Sequence, residues 1–196
     1  SARIPVDGKL PVTRLVSGMI TAAGRVGGHT STDGIKVGAE MLDAGDFSGP
    51  GGARRLLRDR RVEMAVLETA RGGLLRRGLA VDQAEVAVVT NIAEDHLGES
   101  AVYTLADLAE AKLVVAHALG GVRPLVLNAD DPALVEAARG VPCPIAWYSL
   151  DAEHPALIGR DGDAALDAWL FASGDGVVRD VIAGGRHVVV DGRHVA

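Results

Sequence analysis

Residues Glu85–His96, EVAVVTNIAEDH, decide the fold. A short Val-rich run, bounded by polar residues and rich in β-branched side chains, reads as a strand that ends in a polar cluster. The same design stands upstream in EMAVLETA (Glu63–Ala70), which runs on into RGG, and downstream in PLVLNADDP (Pro124–Pro132). PIAWYSL, Pro144–Leu150, is a fourth run of this kind. Helical patterns lie between and before them. TLADLAEAKLVVAHAL (Thr104–Leu119) has Thr104 at its N-cap and Asp107 three residues on, the spacing of a capping box. DPALVEAARG (Asp131–Gly140) is a shorter helix closed by glycine. GARRLLRDRR (Gly52–Arg61) reads as a helix with a solvated cationic face. VTRLVSGMITAAG (Val12–Gly24) places Val12, Leu15, Val16, Met19 and Ile20 on one apolar stripe.

Near-continuous apolar strands that alternate with helices make a parallel sheet covered on both faces. The expected class is therefore α/β: a mostly parallel sheet with helices on both faces and a small C-terminal β-meander. Ligands of such sheets bind beyond the carboxyl ends of the strands. ETARGG, TNIAEDH and NADDP are thus expected to converge on one rim. Past Leu150 the character changes. DAEHPALIGRDG is a turn-rich linker and DAALDAWLFASG a short helix. VVRDVIAGGRHVVVDGRHV is a meander with turns at Gly184-Gly185 and Asp191-Gly192. Two units follow, residues 1–150 and 151–196.

The 196 residues suffice for one well-buried domain with an appendage. With 48% hydrophobic but only 3% aromatic residues, the core is built from Val, Leu, Ile and Ala. A net charge of −6 argues against a nucleic-acid partner. The single cysteine, Cys143, excludes an internal disulfide framework and fits a reducing compartment, the cytoplasm. No apolar run reaches the length of a membrane span, and no signal peptide precedes the fold.

Several residues at the expected rim could carry chemistry. Glu68, at a strand end, is a hard oxygen donor suited to Mg²⁺ or else a solvated carboxylate. Asp95-His96 can bind metal, do acid–base work or cap a loop. Asn91 braces that loop or touches a ligand. Lys112 lies four residues after Leu108 and three before Val115, on the core side of its helix. A lysine there either snorkels or is functional. The hydroxyl-rich HTSTDG, His29–Gly34, has the composition of a turn. Near the N-terminus, Gly8-Lys9 stands where a phosphate loop would end. The loop pattern wants a hydroxyl and a preceding strand, but Leu10 and Pro11 follow the lysine and only SARIPV precedes the segment.

In order along the chain, GHTSTDGIKVG, VLETARGGLLRRGL, VVTNIAEDHLG, AEAKLVV and VLNADDP resemble the ATP-binding central domain of the Mur ligases, cyanophycin synthetase type, over Arg3–Leu150. That family activates a carboxylate with ATP and lets an amine displace phosphate from the acyl phosphate. The resemblance implies ATP and Mg²⁺ as cofactors. It implies as partners a small-molecule or peptide carboxylate and an amino acid. It makes Glu68 and His96 metal ligands, His96 also catalytic, and Lys112 the lysine that many members carbamoylate. It places Gly8, Lys9, Asn128 and Asp131 near the nucleotide, and Thr32, Asp33 and Arg71 near the substrate. The family's phosphate loop reads G-K-T-T where this chain has Gly8-Lys9-Leu10-Pro11. A metal-binding hydroxyl and a backbone donor are lost there. The expectation is an impaired ligase domain, or alternatively a remnant or fusion fragment with weak or no nucleotide binding. The last 40 or so residues resemble the tail of amidohydrolases of the formiminoglutamate deiminase type, which brings no catalytic motif.

Overall fold

The computed structural model describes residues 9–92, 104–151, 154–157, 181–183, 186–190 and 193–194. The four expected strands form. β4 (Met64–Leu67), β5 (Ala87–Val89), β6 (Leu125–Asn128) and β7 (Ile145–Tyr148) begin and end within the runs read from the sequence. β5, β6 and β7 are parallel and adjacent, in the order β5-β6-β7. Their core is Val89, Leu125 and Leu127 packed against Leu113, Leu119 and Leu134. Leu119, Leu125, Leu127 and Leu134 are fully buried.

β4 belongs to a second sheet. β1 (Gly27–Ser31), β2 (Gly34–Val37) and β3 (Glu40–Ala44) form an antiparallel meander, and β4 pairs parallel with β1 in the order β3-β2-β1-β4. The sequence reading treats this meander as a turn only. It is short, and its strands are polar or glycine-containing (GGHTS, GIKV, EMLDA), so no apolar run announces them. The expected turn is real, at Thr32-Asp33, between Ser31 and its partner Gly34. Gly34 has φ 154°, and a Cβ there would lie 2.3 Å from the Asp43 oxygen, so only glycine fits.

Being at the margin changes β4 and β5. Both were expected to be buried strands, yet Met64 at the start of β4 and Val86 just before β5 are each half exposed. β4 is the last strand of its sheet and β5 the first of the other, so one edge of each lacks a strand partner among the described residues.

α1 (Lys9–Ala22) overrides its own pattern. The buried positions are Thr13, Ser17 and Ile20, whereas Leu15 and Met19 of the predicted stripe are exposed. The reason lies in β1, against which α1 packs. Gly27 lets Ile20 approach until a Cβ at Gly27 would be 3.0 Å from Ile20 Cγ2. Two residues on, buried His29 needs a polar neighbour, and its Nδ1 lies 2.9 Å from Ser17 Oγ. Helix rotation is set by that pair rather than by apolar area.

α2 (Pro50–Leu56), which ends short of the Gly52–Arg61 helix expected, presents Arg54 and Arg55 to solvent, as the sequence implied, and buries Leu56 against Ile35 and Val37. α3 (Arg71–Arg77), not foreseen, packs against α2 and against α4 (Leu105–Leu113). Thr104 caps α4 with the expected reciprocal bonds to Asp107. The helix then tightens to a 3₁₀ segment, Val114–Leu119, ended by Gly120 at φ 61°. α5 (Pro132–Ala137) follows β6. The C-terminal meander forms as β8 (Val181–Ala183), β9 (Arg186–Val190) and β10 (Arg193–His194), antiparallel in the order β10-β9-β8. The short helix read in DAALDAWLFASG lies outside the described residues.

Two measurements check this packing. Thr30 is fully buried, shares a face with Ile35 by register, and its hydroxyl has no hydrogen-bond partner among the described residues. Thr30→Val keeps the β-branched shape and removes an unmatched polar atom. It should stabilise the fold by about 1 kcal/mol in denaturant titration; a loss would mean the hydroxyl is partnered. His29 is held below its ordinary 6.5, first by burial, then by Lys36 and Arg14, with Asp33 opposing. Between the lowered native value and 6.5 the unfolded chain binds the extra proton. Stability should therefore fall as pH drops through this window, and His29→Gln should flatten that part of the profile.

Candidate active site at the strand exits

The carboxyl ends of β5 and β6 carry the expected polar clusters, and the structure ties them together at one peptide unit. The Asn91 carbonyl, just past β5, accepts from Lys112 Nζ at 2.8 Å. The next amide, of Ile92, donates to Asp131 Oδ2 at 2.5 Å. A cation thus meets the oxygen and an anion the N–H of the same peptide, matching its dipole at both ends. Thr90, on the other side of Asn91, holds the Asn91 side chain through a 3.1 Å hydroxyl bond to Oδ1. The Thr90 carbonyl accepts the Tyr148 hydroxyl at 3.1 Å. Burial first, then Asp130 and Asp131, push that phenol up to about 12, so it stays a donor at neutral pH.

Lys112 is half-buried on the core side of α4, as the sequence reading had it, and its Nζ reaches the main chain instead of snorkelling to water. Asp131, predicted near the nucleotide, has a second local task. Its Oδ1 caps α5 by accepting from Ala133 and Leu134 at 3.0 and 3.3 Å. Asn128, at the end of β6, accepts the Asp130 amide through Oδ1 at 3.0 Å. Asp130, which sequence reasoning did not single out, accepts from the Ser149 hydroxyl and from the Leu150 amide, linking the exits of β6 and β7. Paired polar residues after a strand were the available signal for it.

Glu68 stands at the exit of β4 with 6% exposure, its amide donating to the Thr30 carbonyl at 3.2 Å. Arg71 opens α3 and is half-buried. α3 packs on α4, the helix of Lys112. Thr32 and Asp33 are exposed in the β1–β2 turn, where Asp33 pairs with Arg14 of α1. Lys9 is the first residue of α1, so Leu10 and Pro11 occupy its first turn. Gly8, Asp95 and His96 lie outside the described residues.

Among the described residues no three His, Cys, Asp or Glu side chains cluster for a metal. Mg²⁺ can take a single carboxylate and complete its shell with water and phosphate oxygens. Glu68 is the described residue that would supply the carboxylate.

The profile of the Mur ligase middle domain matches residues 7–176. The chain belongs to the Mur ligase family. It is 43% identical over 174 residues to the cyanophycin synthetase of Geminocystis herdmanii, covering 84% of this chain and 20% of that protein. Against the cyanophycin synthetase of a Nostoc species the identity is 42% over 175 residues, 85% of this chain and 19% of the relative. The chain therefore spans about a fifth of the length of these curated relatives. A local match of 73 residues, 44% identical, joins 33% of the chain to 16% of the formimidoylglutamate deiminase of Pseudomonas aeruginosa. Among solved structures, UDP-N-acetylmuramoyl-L-alanyl-D-glutamate–2,6-diaminopimelate ligase superposes with a TM-score of 0.60 at 25% identity, over 74% of this chain and 31% of that one. Escherichia coli FolC, in complex with DHPP and ADP, gives 0.53 at 17% identity over 95% and 59%, a likeness of fold. The α/β class and the ligase-type middle domain read from the motifs are both met.

The clamp on the Asn91–Ile92 peptide can be tested without any ligand. Asp131→Asn keeps an oxygen to cap α5 but turns an amide donor toward the Ile92 N–H. Hydrogen bonds to charged groups are worth about 1.5–3 kcal/mol. Amide exchange at Ile92 should therefore speed up about tenfold or more while far-ultraviolet dichroism keeps its helix content. Unchanged exchange would show that the bond does not hold this exit in solution.

Proposed function

We propose that this chain is the nucleotide-handling domain of an ATP-dependent, ADP-forming amide ligase that joins a small-molecule or peptide carboxylate to an amino acid through an acyl phosphate. What carries the reading is the near-buried Glu68 carboxylate at a strand exit in a chain that matches the Mur ligase middle domain. Phosphoryl transfer needs positioning and charge neutralisation more than covalent chemistry from the protein. Glu68, with His96, would hold Mg²⁺, which when bound neutralises charge on the transferring phosphate. Asn128 and Asp131, at the β6 exit, lie on the nucleotide side; Gly8 and Lys9 precede and open α1 toward the phosphates. Thr32, Asp33 and Arg71 face the carboxylate substrate.

Lys112 has two states in this reading. As an ammonium it holds the Asn91 carbonyl. Carbamoylated, it would become an anion, release that carbonyl and support a second metal. Its place on the core side of α4 suits a lysine kept for chemistry.

A second reading, a remnant that binds nucleotide weakly or not at all, is favoured by the start of α1. Leu10 and Pro11 stand in its first turn, where a hydroxyl and a backbone donor would meet the phosphates. The domain division at residue 150 is part of the same proposal, with the 151–196 segment as a non-catalytic appendage.

Differential scanning with ATP and Mg²⁺ tests both. A chain with Leu10→Thr and Pro11→Thr should gain about 2.7 kcal/mol of apparent stability at 100 times its dissociation constant. Adding Glu68→Gln should remove most of that gain. An acidic peptide and an amino acid should then stimulate ATP hydrolysis. No gain and no turnover in the restored chain would defeat the ligase reading for this fragment. An equal gain in the unaltered chain would defeat the remnant reading.

A further inference from the structure

A cavity of about 140 Å³ opens between α1 and the β1–β2–β3 meander. One water's share of the liquid is about 30 Å³, so the space takes one small group with its first waters. Arg14, His29, Ser31, Asp33, Lys36 and Met41 line it. The register explains why. His29 pairs with Lys36, and Lys36 with Met41, so the three side chains form a row on one face of the sheet. α1 covers that face and adds Arg14.

The chemistry of this lining is that of an anion site. His29 is 8% exposed, and its Nδ1 is held by Ser17. The ring lines the cavity, and no described group bonds its Nε2. In the tautomer in which Ser17 donates to Nδ1, Nε2 carries the ring proton and can donate. Arg14 and Lys36 add two cations, and Asp33, paired with Arg14, is the one carboxylate in the lining. The balance is one net positive charge with the imidazole neutral. Burial first, then the same Lys36 and Arg14, disfavour protonation of His29, with Asp33 opposing. A guanidinium, an ammonium and an imidazole in the lining of one small cavity match a planar or tetrahedral oxyanion.

We infer that the pocket bounded by Arg14, His29 and Lys36 binds a compact oxyanion group, a carboxylate or a phosphate. On binding, the anion takes hydrogen bonds from Arg14, Lys36 and His29, and Asp33 gives up part of its hold on Arg14. The pocket shares Asp33 with the substrate side of the proposed function, but binding of a simple anion does not depend on nucleotide turnover, so its test stands apart from that of the ligase reading.

The full chain, labelled for histidine, is titrated with sodium phosphate and separately with sodium acetate, the ionic strength held constant with sodium chloride. The ring resonances of His29, assigned by their loss in His29→Gln, should shift and saturate with at least one of the two anions and not with chloride alone. Saturation by phosphate only identifies a phosphate-group site, and saturation by acetate identifies a carboxylate site. Arg14→Gln and Lys36→Met, at solvent-reached positions that leave the core intact, should each weaken the binding at least about tenfold, the worth of one charge-assisted bond. Linear, unsaturating shifts equal in all three salts would overturn the proposal. So would unchanged affinity in both variants.

Discussion

One peptide unit organises the rim on which the candidate chemistry depends. Asn91–Ile92 leaves β5 with its oxygen on the Lys112 ammonium and its N–H on the Asp131 carboxylate. An exit loop has no ladder to satisfy its backbone groups, and here two charged side chains from separate helices do so. Asp131 does this while capping α5, and Tyr148 secures the preceding carbonyl of Thr90. β5, β6, β7, α4 and α5 therefore meet through bonds that converge within three residues, Thr90 to Ile92. Such networks fix geometry because losing one member strands a half-buried partner.

The other half of the molecule follows a different rule. Its parallel strand, β4, joins an antiparallel meander, and α1 lies across β1 because glycine at 27 gives room and histidine at 29 demands a polar contact. The same contact leaves Leu15 and Met19 exposed on the helix and opens the cationic cavity beside Arg14. Burial of a polar group outranks an apolar stripe here, since an unmatched imidazole in the interior costs more than two exposed aliphatic side chains.

Membership of the Mur ligase family gives these two halves a common context. The chain carries the middle-domain match and about a fifth of the length of the cyanophycin synthetases it resembles. Glu68 on the first sheet and Lys112 beside the second are carried by elements that α3 bridges, since it starts just past β4 and packs on α4. The cationic cavity is lined by Ser31, the residue after Thr30, whose carbonyl accepts the Glu68 amide.

The sequence by itself determined the parallel strands β5 to β7, the capped helix α4, the C-terminal meander and the family. Each rests on a local pattern: an apolar run, a capping box, a glycine turn or a motif read in order. It also placed Lys112 on the core side of its helix, because helical spacing alone decides that. Only the tertiary structure decided that the sheet is divided, that β1 to β3 are strands, and which face of α1 is buried. Those strands are short and polar, so their ladder is specified by partners distant in sequence. Only the fold, too, could show that Lys112 and Asp131 grip one peptide, and that His29, Lys36 and Arg14 face one cavity. These groupings join residues from different elements, and no spacing along the chain encodes a distance across it.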